Sequence, residues 1–556
     1  MDQHRAALNG AALNRSRLWR LVCLLVPLAF LGLFFAYPVA SIIGRGLGER
    51  GHLDPSPVLD VVRDSRLRSI AWFTTWQAFV STVCTFVVAW PLTYVVARSA
   101  IPGRRWLRAF VIVPFVMPTV VVAIAFLALL QPDGPLGFLG WERGVAPILL
   151  AHVFFNVAVV VRTVGTFWEH LDPRTVDAAR VLGASRLRAF VTTTLPLLAP
   201  AIAAAASIVF LFTFTSFGVV LLLGGAQRAT LEVEIYRQTA RLLDLRTAAG
   251  LALAQMVAIV VLLAVTARLQ ERRATTQRLV TATDGVRRPR GSAQWVAVLA
   301  AVAGTGVFLG APLVVLVVRS FSAGGHFTLA HYRALASTGD NGLLFVPAWQ
   351  AVRNSLVYAL EATAIAVVVG GLAAVAIAAR PGRASRAVDV FIMLPLGTSA
   401  VTVGFGFLIA LDRGPLDLRT SVLLVPIAHA IVAIPFVVRA MVPVLRSIDP
   451  RLREAARVLG ASPARVWREI DLPVVLRAVG VAAGFAAAVS LGEFGATVFI
   501  ARPDTLTIPV AIYRLLGRPG GANFGQAMAL STLLMAVTAL VVLLMEGVRP
   551  SRATEF

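Results

Sequence analysis

Apolar residues in this chain come in long unbroken runs, not in amphipathic stripes. A bilayer core about 30 Å thick is crossed by a helix of about 20 apolar residues. Twelve runs of that order read out along the chain, at 21–43, 69–97, 107–130, 146–168, 191–224, 247–267, 294–319, 349–379, 387–411, 421–445, 474–500 and 523–546. The pattern predicts an all-α polytopic membrane protein of about 12 transmembrane helices. Pro91, Pro114, Pro118, Pro395, Pro426 and Pro435 interrupt these runs. Membrane helices tolerate such prolines, as kinks or breaks.

Composition agrees. Of 556 residues 58% are hydrophobic and 14% charged, against roughly half and a quarter in soluble domains. The net charge is +23 and all 51 basic residues are Arg. Without a Lys there is no phosphate-gripping Walker A loop and no Schiff-base lysine. If ATP drives this protein, a partner subunit binds it, and this chain is expected to carry no cofactor. Cys23 and Cys84 both lie inside apolar runs and read as small buried hydrophobes. The seven His show no metal-ligand spacing, and no nucleophile triad or clustered carboxylates appear. Neither a metal site nor an enzyme is expected.

Arginine also sets the orientation expected. With the N-terminus inside, 33 of the 51 Arg fall in segments on the cytoplasmic side, as the positive-inside bias requires. Both termini are then cytoplasmic. The leading run, preceded by Arg15, Arg17 and Arg20, is too long for a signal-peptide core and reads as a retained helix. The basic stretch 268–293, with Arg272, Arg273, Arg287, Arg288 and Arg290, reads as a cytoplasmic linker facing anionic lipid rather than nucleic acid.

The chain repeats itself. Residues 171–196 (LDPRTVDAARVLGASRLRAFVTTTLP) and 448–473 (IDPRLREAARVLGASPARVWREIDLP) match at 14 of 26 positions at an offset of 277. The same offset pairs Arg162 with Arg439, Phe217-Gly218 with Phe494-Gly495, and Ile235-Tyr236-Arg237 with Ile512-Tyr513-Arg514. Upstream it pairs Pro118 with Pro395. Two parallel copies of six spans each follow, since an even number of spans gives both copies one orientation.

Each repeated loop reads as two short helices with a sharp bend. Asp172 and Asp449 are cap residues before Pro173 and Pro450, which suit a first helical position. Asp177 and Glu454 place a negative charge early in the helix, where the dipole favours it. Ala178-Ala179 and Ala455-Ala456 give a small surface that another protein can approach closely. Gly183 and Gly460 fit a left-handed stop. Ser185 and Ser462 cap the next helix, which the prolines of Leu195-Pro196 and Leu472-Pro473 are expected to end. A polar, doubly capped loop present twice is a docking element.

Glu454-Ala455-Ala456, Gly460 and Leu472-Pro473 together resemble the signature loop of ABC importer permeases of the type I fold. The first copy has Asp177 in place of the glutamate. The resemblance covers two permease units, 69–267 and 349–546. An N-terminal segment with the first span (1–68), a linker with the seventh span (268–348) and a tail (547–556) complete the chain. It implies an inner-membrane transport subunit whose loops fit two copies of an ABC ATPase. It further implies an extracytoplasmic binding protein that delivers the substrate.

The substrate signal is thinner. Ser216–Val220, Gly224-Gly225 and Thr230–Tyr236, with Ser490–Gly495, are similar to thiamine transporter permeases. Fused ferric-iron permeases share the length and the Phe-Gly segment, and sulfate, molybdate and phosphonate remain alternatives. Glu361 and Glu493 lie within apolar runs, where a carboxylate is costly and by default a functional candidate. An acidic path suits a cation such as thiamine. His152, Asn156, Gln255 and His429 read as interhelical hydrogen-bonding groups. An ion-coupled secondary transporter would pair acids inside the membrane and would have no need of the duplicated loop.

Overall fold

The computed structural model describes residues 21–49, 52–225, 227–273, 286–336, 346–379, 382–411, 417–418, 420–518 and 520–548. The N-terminal arginines, most of the basic linker and the tail lie outside these. The chain divides into two compact units.

The unit built on the first repeat comprises residues 49–331 and 524–532. Its main helices are α2 (Ser65–Arg98), α3 (Arg104–Val116), α4 (Thr119–Leu130), α5 (Val145–Glu169), α6 (Arg174–Val181) and α7 (Arg186–Phe214). The short α8 (Leu231–Arg237), then α9 (Leu245–Arg273) and α10 (Ser292–Ser320), follow. The other unit comprises residues 1–48, 332–523 and 533–556. Its helices are α1 (Leu21–Leu47), α11 (Ala348–Ala379), α12 (Arg383–Gly397), α13 (Ala400–Ala410), α14 (Leu424–Ser447), α15 (Pro450–Val458) and α16 (Ala464–Gly492). After them come α17 (Ile508–Leu516) and α18 (Gly521–Val548), the latter shared between the units.

Ten helices among the described residues are long and apolar enough to cross a membrane, or twelve if each of two bent pairs is one span. Those pairs correct the sequence reading. The runs at 107–130 and 387–411 are not single straight spans: α3 meets α4 at 98° and α12 meets α13 at 95°. The cause is local. Met117 is extended (φ −64°, ψ 140°) before Pro118, as a residue preceding proline tends to be. Thr398 and Ser399 are extended likewise, and the Ser399 hydroxyl accepts from the Val401 N–H at 3.0 Å. Every residue of α4 from Val120 to Leu130 is buried, so this apolar helix is surrounded by protein instead of facing lipid. The run at 191–224 is also shorter than read, since its helix ends at Phe214.

The bends correct the repeat register too. The Met117 N–H donates to Pro114 O and the Thr398 N–H to Pro395 O, both at 3.3 Å. Pro395 therefore corresponds to Pro114, not Pro118, and the offset there is 281. Downstream it is 277, as Leu231 and Ile508 show by donating to the equivalent hydroxyls of Thr74 and Ser355 at 3.0 and 2.8 Å. The four-residue difference falls in the loops after α4 and α13.

Each unit takes in a leading span that the sequence attached elsewhere. Leu31 and Phe35 of α1 belong to the core of the second-repeat unit, with Ala362, Ala366, Phe407, Ile434 and Ala482. Gly406 makes this possible, since a Cβ there would sit 2.9 Å from the Pro38 side chain. In the first-repeat unit α10 packs on α4 and α5: Phe308 meets Phe154 edge-on at 6.4 Å, and Arg319 donates to Ala128 O at 2.8 Å. Small residues permit such approach where apolar surface alone gives helices no preference over lipid. Gly404 is a second case, as its Cβ would meet Ala496 Cα at 2.7 Å. Gly404→Val is expected to destabilise by about 1–3 kcal/mol through overpacking. A lower thermal unfolding midpoint in detergent would show it, and an unchanged midpoint would mean the Ala496 backbone yields freely.

Candidate functional site

The two repeated loops fold alike. The Arg174 N–H donates to Asp172 and the Arg451 N–H to Asp449, both at 2.9 Å, which satisfies first-turn donors of α6 and α15. Each helix ends in the same reverse turn. Gly183 donates to Arg180 O at 3.0 Å and Ala184 to Ala179 O at 3.1 Å. Gly460 and Ala461 repeat this on Arg457 and Ala456, both at 3.0 Å. Gly183 has φ +89° and Gly460 φ +81°, which is left-handed backbone that favours glycine. Ser185 then accepts from the Arg188 N–H at 3.2 Å, and Ser462 from the Arg465 N–H at 3.4 Å.

The arm that follows does not stop at the Leu-Pro pair. Arg186–Phe214 and Ala464–Gly492 are each one helix of 29 residues. A π turn lies just before each proline, at Phe190–Thr194 and Trp467–Asp471. Leu195 donates five residues back to Phe190 O, and Leu472 to Trp467 O. The wider turn lets Pro196 and Pro473, which lack an N–H, follow without breaking the helix. Each loop is therefore continuous with a membrane helix.

The tips of α6 and α15 are apolar and bare. Val181 and Leu182 are 87% and 88% exposed, Val458 and Leu459 88% and 86%. Ala178 and Ala455 are exposed beside them, and Ala179 and Ala456 are half-buried. A lone leucine outside the core is ordinary, but here the same Val-Leu pair stands bare at the tip of a capped helix in both copies. The docking stretches expected from the sequence, Asp177–Gly183 and Glu454–Gly460, contain this pair, which is identical in both copies although the alanines alone are singled out there.

Beside the first loop, buried Glu169 at the end of α5 receives Arg104 at 2.8 Å and Arg108 at 2.5 Å. It locks α5 to the start of α3. At the matching position the second copy has Arg446, which donates to Ile377 O at 3.3 Å.

The two path candidates sit differently. The Glu493 carboxylate is buried and accepts from the backbone N–H of Ala496 at 2.7 Å and of Thr497 at 3.1 Å. The Thr497 hydroxyl also donates to it, and His429 Nε2 lies 3.4 Å away. Glu361 is half-buried on α11, and its Oε2 has no hydrogen-bond partner among the described residues. His152 and His429, 277 residues apart, occupy the same place in the repeat. His152 bridges Ser81 at 3.0 Å and Ser216 at 2.8 Å, and His429 bridges Ser490 at 2.7 Å and Thr497 at 2.8 Å. Both act as cross-links between elements. Asn156 donates to His152 O at 2.8 Å, and Gln255 donates to Glu232.

Two buried acids were passed over in the sequence. Glu232 and Glu234 are fully buried on α8, and Glu234 pairs with Arg66 and Arg237, each at 3.2 Å. Helix α8 lies between the apolar runs, so neither acid carries in the sequence the cost that marks Glu361 and Glu493. Its i, i+2 pair of acids followed by Arg237 was the available signal. Among the described residues no group of His, Cys, Asp and Glu is arranged to hold a metal ion.

A duplicated multi-span helical unit, each copy with a capped helix held rigidly between two spans, is a transport permease in class. A family model described as "Binding-protein-dependent transport system inner membrane component" matches residues 89–275 and 366–551, and the chain belongs to that family. It is 27% identical over 508 residues to a thiamine transport system permease protein of Brucella abortus, covering 89% of this chain and 90% of that one. The corresponding protein of Salmonella typhimurium is 28% identical over 493 residues, covering 86% and 88%. A putative 2-aminoethylphosphonate transport system permease protein of Salmonella paratyphi A is 30% identical over 248 residues, covering 44% of this chain and 89% of its own.

Proposed function

We propose that this chain forms the path by which a binding protein's cargo, thiamine, crosses the inner membrane, driven by two ABC ATPase subunits on its cytoplasmic face. One ATPase docks on Asp177–Gly183 and the Leu195-Pro196 arm, the other on Glu454–Gly460 and the Leu472-Pro473 arm. Both termini are cytoplasmic in this reading, and ATP is bound and hydrolysed only by the partners.

The observation that carries the reading is the pair of capped helices with identical left-handed stops and bare Val-Leu tips, each continuous with a span. When ATPase subunits close on each other, levers of this kind are carried with them. Their motion biases the spans between inward- and outward-facing states. Thiamine is preferred because the similarity to thiamine permeases runs through both repeats, while the phosphonate permease matches less than half of the chain.

Labelled thiamine uptake in cells lacking and then regaining the gene tests this. Uptake that depends on the gene and on ATP supports it. Uptake of ferric iron or an aminoethylphosphonate instead would keep the permease and overturn the substrate.

Glu361 and Glu493 are proposed to give the path its preference for a cation. Glu361→Gln keeps size and removes charge, and is expected to raise the KM for thiamine about five-fold, near 1 kcal/mol. Glu493→Gln is expected to lower uptake further, since it also weakens the turn at Ala496–Thr497. Unchanged kinetics in both would remove these carboxylates from the path.

A further inference from the structure

The two loops are alike in backbone but are held in place by different devices. In the second, Arg453 Nε donates to Asp471 Oδ1 at 2.8 Å. This brace is internal, from α15 to the π turn of its own following arm. The matching positions of the first loop are Val176 and Thr194, which cannot form an ion pair.

The first loop is braced from elsewhere. Arg287 comes from the segment joining the repeats. Its N–H donates to Arg98 O and its carbonyl accepts from the Ala100 N–H, both at 3.0 Å, in a parallel bridge at Ser99. Its guanidinium Nη2 then lies 3.0 Å from Asp177 Oδ2 on α6. One residue thus joins three things: the end of α2, the inter-repeat segment and the first lever. Among the described residues Glu454, the counterpart of Asp177, takes part in no ion pair.

The magnitudes fit a bias and not a lock. The Arg287 and Asp177 side chains are 66% and 48% exposed, and ion pairs so open to water are weak. The backbone bridge adds two hydrogen bonds. Together they hold Arg287 on the end of α2 and place its charge where α6 meets it.

We propose that the described end of the inter-repeat segment, around Arg287, is a strap for the first coupling loop, with Arg287 as its positioning residue, and that it stands in for the internal Arg453–Asp471 brace of the second loop. The two ATPase contacts are then mechanically unequal. The linker's end at Arg287 is then part of the coupling train. This rests on the reading of α6 and α15 as ATPase-docking levers.

Hydrogen exchange on the purified full-length permease, without ATPase, tests the strap directly. Arg287→Glu is expected to speed exchange at 174–183 about three-fold and to leave 450–458 unchanged. Arg453→Ala should do the reverse. Asp177→Arg combined with Arg287→Glu should restore slow exchange at 174–183. Silence in Arg287→Glu, or no restoration in the double variant, overturns the strap.

ATP hydrolysis by the reconstituted complex gives the second readout. Arg287→Glu is expected to lower it about three-fold. If Gly183→Pro abolishes it while Arg287→Glu leaves it unchanged, the strap fails and the docking reading survives. If Gly183→Pro also hydrolyses normally, the docking reading itself has failed.

Discussion

Gly183→Pro and Gly460→Pro are each expected to cut coupled transport at least about ten-fold while leaving the permease inserted in the membrane at normal levels. The reason lies in the backbone. Both glycines sit at positive φ, +89° and +81°, and proline is fixed near −65°. Both N–H groups donate to the last turn of the lever helix, at 3.0 Å to Arg180 O and to Arg457 O, and proline has none to give. The turn must open, at a cost of about 3 kcal/mol, which is more than a hundred-fold in the population of the native turn. The rest of the molecule has no stake in the change, because a Cβ at either glycine would meet nothing within 4 Å. That open space supplies a control. Asparagine visits left-handed backbone readily, so Gly183→Asn and Gly460→Asn are expected to keep most transport. Normal transport in both proline variants would mean that the levers need no fixed end.

These glycines were legible because the repeat exposes them. A loop that recurs with the same cap and the same stop states the geometry of its turn, and for that turn the structure adds only the angles. The span count was legible for a similar reason, since twenty apolar residues in a row have few alternatives. What lay beyond reach was direction. The run through Met117-Pro118 is equally apolar on both sides of its bend, so its composition is the same whether α4 continues a span or turns through 98° into the protein.

Partnership was hidden as well. Nothing near Leu31 and Phe35 announces that they complete a core with Ala366 and Ile434. Pairing of that kind is set by shape at distant points, here by Gly406 leaving room for Pro38. The continuous arm is the instructive miss. Pro196 and Pro473 were read as helix ends, yet a π turn in front of each absorbs the missing donor. For the proposed coupling the difference matters, because an arm that ended there would separate the loop from the span, whereas this one runs on for 29 residues, about 43 Å.

Replacing the lever tips is expected to detach the ATPase altogether. Leu182→Asp with Leu459→Asp should raise the dissociation constant for the ATPase at least about a hundred-fold, with the permease itself unaffected. Both leucines are almost fully exposed in this chain, at 88% and 86%. Exposed positions without internal contacts change stability by at most about 0.5 kcal/mol. In a cleft the same side chains would be worth about 1.5–3 kcal/mol each on burial. An aspartate in their place loses that and brings a charge that must be desolvated without a partner. The single variants separate the two contacts. Co-purification of the ATPase with each variant, at matched permease yield, measures both effects. An ATPase that stays bound to the double variant would show that the tips are not the docking surface.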